Sequence, residues 1–231
     1  MRNSQTPNSI DAYIEIGKKR TFAGAIDWPG WCRSARDEDS ALRALVDYGP
    51  RYAHVLHGTQ LGFRAPTDTS VFAVVERLEG DATTDFGAPG KPPSSDARPV
   101  DSADLRRFQA LLAACWAAFD AAVQAASGRE LRRGPRGGGR DLAEIVQHLL
   151  GADAGYLAAL GCKSDRGNDP GREMATGRQV ILSALTAAAA GEIPERGPRG
   201  GIHWTARYFV RRVAWHALDH AWEIEDRILP G

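Results

Sequence analysis

The sequence predicts an α+β protein in which a small mixed domain precedes a four-helix bundle. Residues 10–80 contain short apolar segments typical of strands around one helical segment, whereas the chain after residue 101 is rich in Ala, Leu and Arg at helical spacing. Residues 81–100 between these halves are rich in Gly, Pro and Ser, which is typical of a linker. The predicted organisation is therefore a domain at 1–80, a linker at 81–100 and a bundle at 101–231.

The amino-terminal half predicts the element order ββαβ. Residues 12–16 and 21–26 read as strands on either side of a Gly-Lys-Lys-Arg turn, which predicts a hairpin. A helix is predicted to begin at Asp37, because acidic residues fall in its first turn and an apolar stripe follows. Residues 71–75 are predicted to form the third strand.

This order resembles the HicB-like antitoxin fold. In that family, a strand ending in a Pro-Gly-Cys type of turn leads into a helix that begins with acidic residues and alanine. Here the turn is Asp27-Trp-Pro-Gly-Trp-Cys-Arg33, and Trp31 separates Gly30 from Cys32. The resemblance is limited to the first domain and implies a fold rather than an activity, so it assigns no functional residue.

The carboxy-terminal half predicts four helices with apolar stripes. They span about 101–127, 141–160, 172–190 and 203–228, and acidic residues suited to capping precede the first two. The connection at 161–171 reaches about 36 Å when extended, enough to cross a twenty-residue helix of about 30 Å. Such a crossover predicts a bundle in which the second and fourth helices run in opposite directions.

Three histidines in this half are the strongest chemical signal in the chain. His216 and His220 are four residues apart in the predicted fourth helix, so both imidazoles lie on one helical face. His148 lies in the apolar part of the second helix. Three neutral imidazoles from two helices leave a divalent first-row metal with open coordination positions, which is typical of catalytic sites.

These residues resemble the DinB superfamily over residues 101–231. The match consists of a histidine in the second of four helices and a His-x-x-x-His pair within Val213-Ala-Trp-His-Ala-Leu-Asp-His-Ala-Trp-Glu-Ile-Glu-Asp-Arg227. The resemblance implies an up-down-down-up bundle in which His148, His216 and His220 bind zinc, nickel or a related ion. It also implies a transferase or isomerase in which the metal activates mycothiol, bacillithiol or glutathione. The abundance of Ala, Arg and Gly is typical of a high-GC bacterium, where mycothiol is the natural thiol.

Two charged residues near the histidines are candidate catalytic groups. Glu144 lies four residues before His148, and is either a fourth ligand or proton acceptor, or a surface carboxylate in the first helical turn. Arg212 lies one turn before His216, and either holds a carboxylate of the thiol or substrate near the metal, or is a solvated charge.

Other side chains of the fourth helix flank the histidine pair. Asp219 and Glu223 are candidates to accept hydrogen bonds from the imidazoles and so to orient them. Trp215 and Trp222 are predicted to be packing or interface residues.

The composition of the chain limits the classes of binding partner that we expect. Lys plus Arg equals Asp plus Glu at 29 each, so the chain has no net charge to attract nucleic acid or an anionic membrane. It shows no signal peptide and no run of about eighteen apolar residues, which predicts a cytoplasmic protein. Its 3 cysteines are widely spaced, which favours free thiols. The expected partners are a small thiol and an electrophile, and homodimerisation is left open.

Three functional classes stay open at this point. The first is an enzyme that uses a metal-activated thiol, or a related hydrolase that uses metal-bound water. The second is a non-catalytic binding or regulatory protein, in which the HicB-like module contacts a partner and the bundle is structural. The third is a metal-free scaffold.

Overall fold

The computed structural model describes residues 9–133, 139–163 and 170–229. It divides the chain into two compact units, one ending at Ala97 and the other beginning at Arg98. The predicted α+β class is confirmed, because a four-stranded sheet lies in the first unit and long helices form the second.

The sheet of the first unit contains one strand more than the predicted ββαβ order. Its strands are β1 (Ile10–Ile16), β2 (Thr21–Ala25), β3 (Cys32–Ala35) and β4 (Phe72–Glu79). The spatial order is β3-β2-β1-β4, with β1 antiparallel to β2 and parallel to β4. Strand β3 was not predicted because its sequence, Cys-Arg-Ser-Ala, has no apolar alternation. Antiparallel pairing with β2 holds it extended, so tertiary context overrides local propensity.

Helix α1 (Glu38–Val55) is attached to the turn that precedes β3. The indole Nε1 of buried Trp31 donates to the Leu45 carbonyl at 2.9 Å, and the Tyr52 hydroxyl donates to the Pro29 carbonyl at 2.8 Å. The two rings also stack, with centroids 5.9 Å apart. The tryptophan that departs from the HicB-like pattern therefore packs between turn and helix.

The segment predicted as a linker, 81–100, contains local structure. Helix α2 (Ala82–Phe86) lies within it, and a short 3-10 helix follows. The backbone N–H groups of Gly90 and Lys91 donate to the buried carboxylate of Glu15 on β1, at 2.9 and 3.1 Å. Hydrogen bonds to a buried carboxylate hold this segment against β1, and residues 81–97 belong to the first unit, whereas residues 98–100 belong to the second.

The second unit has the predicted four helices. They are α3 (Ser102–Ala126), α4 (Leu142–Leu160), α5 (Pro170–Ala189) and α6 (Ala206–Arg227). The carboxylates of Asp101 and Asp141 accept backbone N–H groups in the first turns of α3 and α4, as their capping role predicts. Helix α6 begins slightly later than expected, because the Thr205 hydroxyl caps it. Residues 164–169 of the predicted crossover lie outside the described part of the chain.

The bundle core joins α3, α4 and α6. Its buried cluster consists of Phe119, Ala122, Ala126, Ile145, Leu149, Ala221 and Ile224. Helix α6 is buried along most of its length, so several of its polar side chains, among them Arg212, His216 and His220, lie inside the unit.

Helix α3 is, among the described residues, long and apolar enough to cross a bilayer by length and composition alone. Charged and polar residues interrupt its apolar run, so it contains no continuous stretch of about eighteen apolar residues. Its residues Phe108, Leu112 and Phe119 are buried. The core helix of a bundle has these same properties, so the feature by itself assigns no membrane location.

Candidate metal centre

His148 on α4 and the pair His216 and His220 on α6 bring three imidazole nitrogens together. The Nε2 atoms of His148 and His216 are 3.2 Å apart, and those of His216 and His220 are 3.0 Å apart. All three potential ligand atoms lie within 4.8 Å of one another. His216 and His220 are buried and His148 is half-buried. The three residues predicted as ligands therefore form a group that can hold a metal ion.

The antiparallel arrangement of α4 and α6 produces this convergence. At one end of the helix pair, the Trp204 backbone N–H donates to the Ala159 carbonyl at 2.8 Å. At the other end, Nη2 of Arg227 donates to the Arg140 carbonyl at 2.8 Å. The start of α4 therefore lies beside the end of α6, and His148 is level with the pair, as the crossover predicted.

The spacing of the nitrogens fits a single ion. Nitrogens about 2.0–2.1 Å from a zinc ion, at angles between octahedral and tetrahedral values, lie about 2.9–3.4 Å from each other. The two Nε2 distances, 3.0 and 3.2 Å, fall within that range. A proton on Nε2 of His216 can be shared with only one neighbour, whereas one cation interacts with all three lone pairs. The donor set therefore fits a divalent metal.

The electrostatic surroundings favour neutral imidazoles. Burial lowers the pKa of His216 well below its ordinary value, and the charges of His220 and His148 lower it further. Burial also lowers the pKa of His148, with an added contribution from the charge of Arg140. Because the neutral ring carries the lone pair that coordinates a metal, both shifts favour metal binding.

A carboxylate and an arginine hold one of the three rings. Oε2 of Glu223 lies 2.7 Å from Nδ1 of His220, and Oε1 accepts a hydrogen bond from Arg227 at 2.6 Å. The hydrogen bond to His220, followed by the contribution of Arg227, lowers the pKa of Glu223. A carboxylate at this position assigns the proton of His220 to Nδ1, which leaves the lone pair on Nε2.

Arg212 lies beside the histidines in an aromatic environment. It is only 7% exposed, so it is not the solvated charge that the sequence left open as an alternative. Its Nη2 donates to the Tyr156 hydroxyl at 3.1 Å, and its guanidinium lies 5.2–5.7 Å from the ring centroids of Tyr156, Trp204 and Trp215. The Tyr156 ring is 5.7 Å from that of His216. A buried cation and a phenol thus lie next to the candidate metal ligands.

Glu144 is exposed and forms a capping box at the start of α4. Its carboxylate accepts the Asp141 backbone N–H at 2.9 Å, and its own N–H donates to the Asp141 carboxylate at 2.8 Å. It is not part of the group of potential metal ligands. The structure thus gives Glu144 the first-turn role that the sequence left open beside the catalytic one.

Three residues near the site were not predicted. Tyr156 lies eight residues after His148, on the same broad face of α4, and this i, i+8 spacing is a signal that could have identified it. Arg227 lies four residues after Glu223, which is the spacing of a helical ion pair. Trp204 precedes α6 in an irregular segment, and its sequence context carries no comparable signal.

Comparisons of the chain with protein-family models, with curated proteins and with solved structures find no match. The geometry of the three histidines and their neighbours is therefore the evidence that bears on function. The DinB and HicB-like resemblances stay predictions.

Proposed function

We propose that the second unit is a divalent-metal-dependent enzyme that transfers or isomerises a small electrophile through a low-molecular-weight thiol. The observation that supports this most directly is the convergence of three imidazoles, whose potential ligand atoms lie within 4.8 Å of one another, with the His216 Nε2 atom 3.0 Å from that of His220 and 3.2 Å from that of His148. Zinc or nickel held by His148, His216 and His220 would lower the pKa of a coordinated thiol and so would supply a nucleophile near neutral pH. The DinB resemblance implies mycothiol, bacillithiol or glutathione, and the abundance of Ala, Arg and Gly favours mycothiol among them.

The side chains beside the histidines indicate how the electrophile is held. Arg212 presents a planar guanidinium one turn before His216, and such a fork binds carboxylates in a bidentate manner. The rings of Trp204 and Trp215 lie around it and exclude water, which strengthens its interaction with an anion. Burial raises the pKa of the Tyr156 phenol, so its hydroxyl keeps its proton and can donate it in a hydrogen bond to the bound group.

Metal analysis combined with a thiol screen tests this function. Protein purified without an affinity tag should contain close to one equivalent of zinc or nickel. Electrophiles that carry a carboxylate should turn over in the presence of mycothiol, bacillithiol or glutathione, and chelation should abolish turnover. A metal content below about a tenth of an equivalent would contradict a three-histidine metal site. Turnover without any thiol would instead favour hydrolysis by metal-bound water.

Replacement of Arg212 by methionine is expected to weaken binding of an anionic electrophile. A hydrogen bond to a charged group contributes about 1.5–3 kcal/mol, so KM for that substrate should rise roughly 10- to 150-fold. The metal content should stay unchanged, because Arg212 is not among the ligands. Steady-state kinetics with an acid and its uncharged amide analogue measure the effect.

The matched control for this variant is Arg178→Met. Arg178 makes a bidentate ion pair with Asp120, with both N···O distances at 2.7 Å, and is not among the residues placed around the histidines. Its replacement should leave the KM values for acid and amide unchanged. If Arg212→Met raises both KM values equally, Arg212 does not recognise the negative charge.

A further inference from the structure

We infer that Glu223 and Arg227 are positioning residues that hold His220 ready for metal binding and thereby set the metal affinity of the site. The inference rests on the proposed metal-dependent function and extends it to two residues that are not themselves potential ligands. It is supported by three features: how the carboxylate is shared, how the arginine is held, and how differently the two histidines of α6 are supported.

The carboxylate of Glu223 uses its two oxygens for different partners. Oε2 accepts a hydrogen bond from Nδ1 of His220 at 2.7 Å, and Oε1 accepts one from Nη1 of Arg227 at 2.6 Å. With one partner on each oxygen, the carboxylate cannot rotate without breaking a charge-assisted hydrogen bond. The orientation of the His220 ring is therefore coupled to the position of Arg227.

Arg227 is itself held on several sides. It is 6% exposed, and its remaining donors reach two backbone carbonyls, with Nε to Arg132 at 2.7 Å and Nη2 to Arg140 at 2.8 Å. The Arg132 backbone N–H donates in return to the Arg227 carbonyl at 2.7 Å. Each of the three guanidinium nitrogens thus donates to an acceptor, and the two backbone acceptors fix the position of the nitrogen that donates to Glu223.

The two histidines of α6 differ in how they are supported. Nδ1 of His216 is buried and has no hydrogen-bond partner within the described part of the chain, while its ring stacks on Trp215 with centroids 5.8 Å apart. His220 has the Glu223 hydrogen bond on Nδ1 and faces His216 through Nε2. Packing therefore orients His216, whereas the carboxylate orients His220 and selects its tautomer.

A fixed ring lowers the entropic cost of binding a metal. An imidazole that is free to flip or to carry its proton on Nε2 must be reordered before it can coordinate an ion. The hydrogen bonds of Glu223 and Arg227, which we call the network, order the His220 ring in the metal-free protein, so this cost is not incurred on binding. Loss of the network should therefore weaken metal binding without removing any ligand.

Three variants test the role of Glu223. Zn²⁺ affinity is measured by competition with a chromophoric chelator at one pH, for the full chain carrying Glu223→Ala, Glu223→Gln or Glu225→Ala. Loss of an outer-shell partner typically weakens metal binding about 10- to 100-fold, and this is the expected result for Glu223→Ala. Glu223→Gln should recover part of the affinity, because its amide oxygen still accepts from Nδ1. The control, exposed Glu225 on the same helix end, should bind as the wild type does.

Nuclear magnetic resonance of the metal-free protein gives a readout that a merely structural ion pair would not change. In the wild type, ring ¹⁵N correlations should show His220 protonated at Nδ1, with a hydrogen-bonded proton far downfield. That signal should be lost in Glu223→Ala and retained in Glu225→Ala. Circular dichroism confirms that each variant is folded.

Arg227→Lys tests the second member of the network. Lysine keeps the positive charge but lacks the planar fork that contacts Glu223 and two carbonyls at once. We expect Arg227→Lys to bind Zn²⁺ more weakly than the wild type. In the double variant with Glu223→Ala, the fold-loss of affinity should be smaller than the product of the two single fold-losses. If Arg227→Lys is unfolded, the Glu223 series still decides the inference.

The outcomes separate the inference from the function on which it rests. A wild type that binds no Zn²⁺ would refute the metal-dependent function, and with it the proposed effect on affinity. A wild type that binds Zn²⁺, together with a Glu223→Ala variant of equal affinity and an unchanged Nδ1 signal, would refute only the inference.

Discussion

Replacement of His216 by alanine is expected to abolish tight metal binding while leaving the bundle folded. Its Nε2 atom lies 3.0 Å from that of His220 and 3.2 Å from that of His148, so it is the central member of the group. Structural zinc sites with four ligands contribute about 10–16 kcal/mol, or about 2.5–4 kcal/mol per ligand. Loss of one ligand of three should thus weaken binding roughly 100- to 1000-fold, and thiol-dependent turnover should be lost with the metal.

The fold should survive this substitution because His216 makes no hydrogen bond through Nδ1 in the described part of the chain. Alanine therefore leaves no partner of that atom unsatisfied, and the cost consists of the cavity left by the ring and the lost Nε2 contact with His220 or His148. Metal titration followed by circular dichroism on the same sample measures both effects.

His203→Ala is the matched control for His216→Ala. His203 also lies in the second unit, but its Nδ1 is 2.7 Å from the Pro194 carbonyl and it is not part of the metal-binding group. Its replacement should leave the metal content unchanged. If His216→Ala keeps wild-type affinity, the three-histidine site is wrong. If that variant unfolds and the parent protein has no turnover, the bundle has a structural role and the non-catalytic alternative is favoured.

The helices and the histidine group could be predicted because their signals are local. Asp101 and Asp141 mark helix starts through side-chain acceptors that act within the first turn. His216 and His220 share a face because four residues make about one turn. The prediction that His148 lies beside this pair required only that α4 run antiparallel to α6, and the long connection at 161–171 indicated that direction.

The features that could not be predicted depend on contacts between distant parts of the chain. Strand β3 is extended because β2 pairs with it, and its own residues carry no strand signal. The burial of Arg212 depends on rings from other segments, notably Tyr156 and Trp204. Arg227 contacts carbonyls about ninety residues earlier in the chain. Single-sequence periodicity reports on one helix at a time, so it cannot identify such partners.

The carboxyl group of Asp153 on α4 is expected to make the stability of the second unit depend on pH. Its Oδ1 is buried without a hydrogen-bond partner in the described part of the chain. Burial raises the pKa of this carboxyl from its ordinary value of 3.8 to about 7, although the charge of Arg178 opposes the shift. The folded state therefore keeps the proton in a pH range in which the unfolded state has already lost it.

The sign of the effect follows from this difference in proton binding. Between about pH 4 and pH 7 the folded chain binds more protons at Asp153 than the unfolded chain, so stability falls as the pH rises. Above about pH 7 the Asp153 carboxyl is ionised in both the folded and the unfolded state, so stability falls no further because of this group. One pKa unit corresponds to about 1.4 kcal/mol, so the full shift corresponds to roughly 4 kcal/mol.

Asp153→Asn is therefore expected to stabilise the protein, and to do so more at high pH. Asparagine has nearly the shape of the protonated acid and cannot ionise. Its advantage over the wild type should grow by roughly 2–3 kcal/mol between pH 5 and pH 8.5. Urea unfolding in the presence of a chelator measures this, because without metal the histidine site contributes equally to both proteins.

Asp153→Ala separates ionisation from packing. It also removes the acid, but it leaves a cavity that lowers stability by an amount that does not depend on pH. The free energy of unfolding of Asp153→Ala, relative to the wild type, should therefore rise with pH as that of Asp153→Asn does. At every pH it should be lower than that of Asp153→Asn. A difference between Asp153→Asn and the wild type that stays constant from pH 5 to pH 8.5 would show that the carboxyl ionises normally in the folded protein. The buried Oδ1 would then have to be solvated, for instance by an internal water molecule that lowers the cost of its charge.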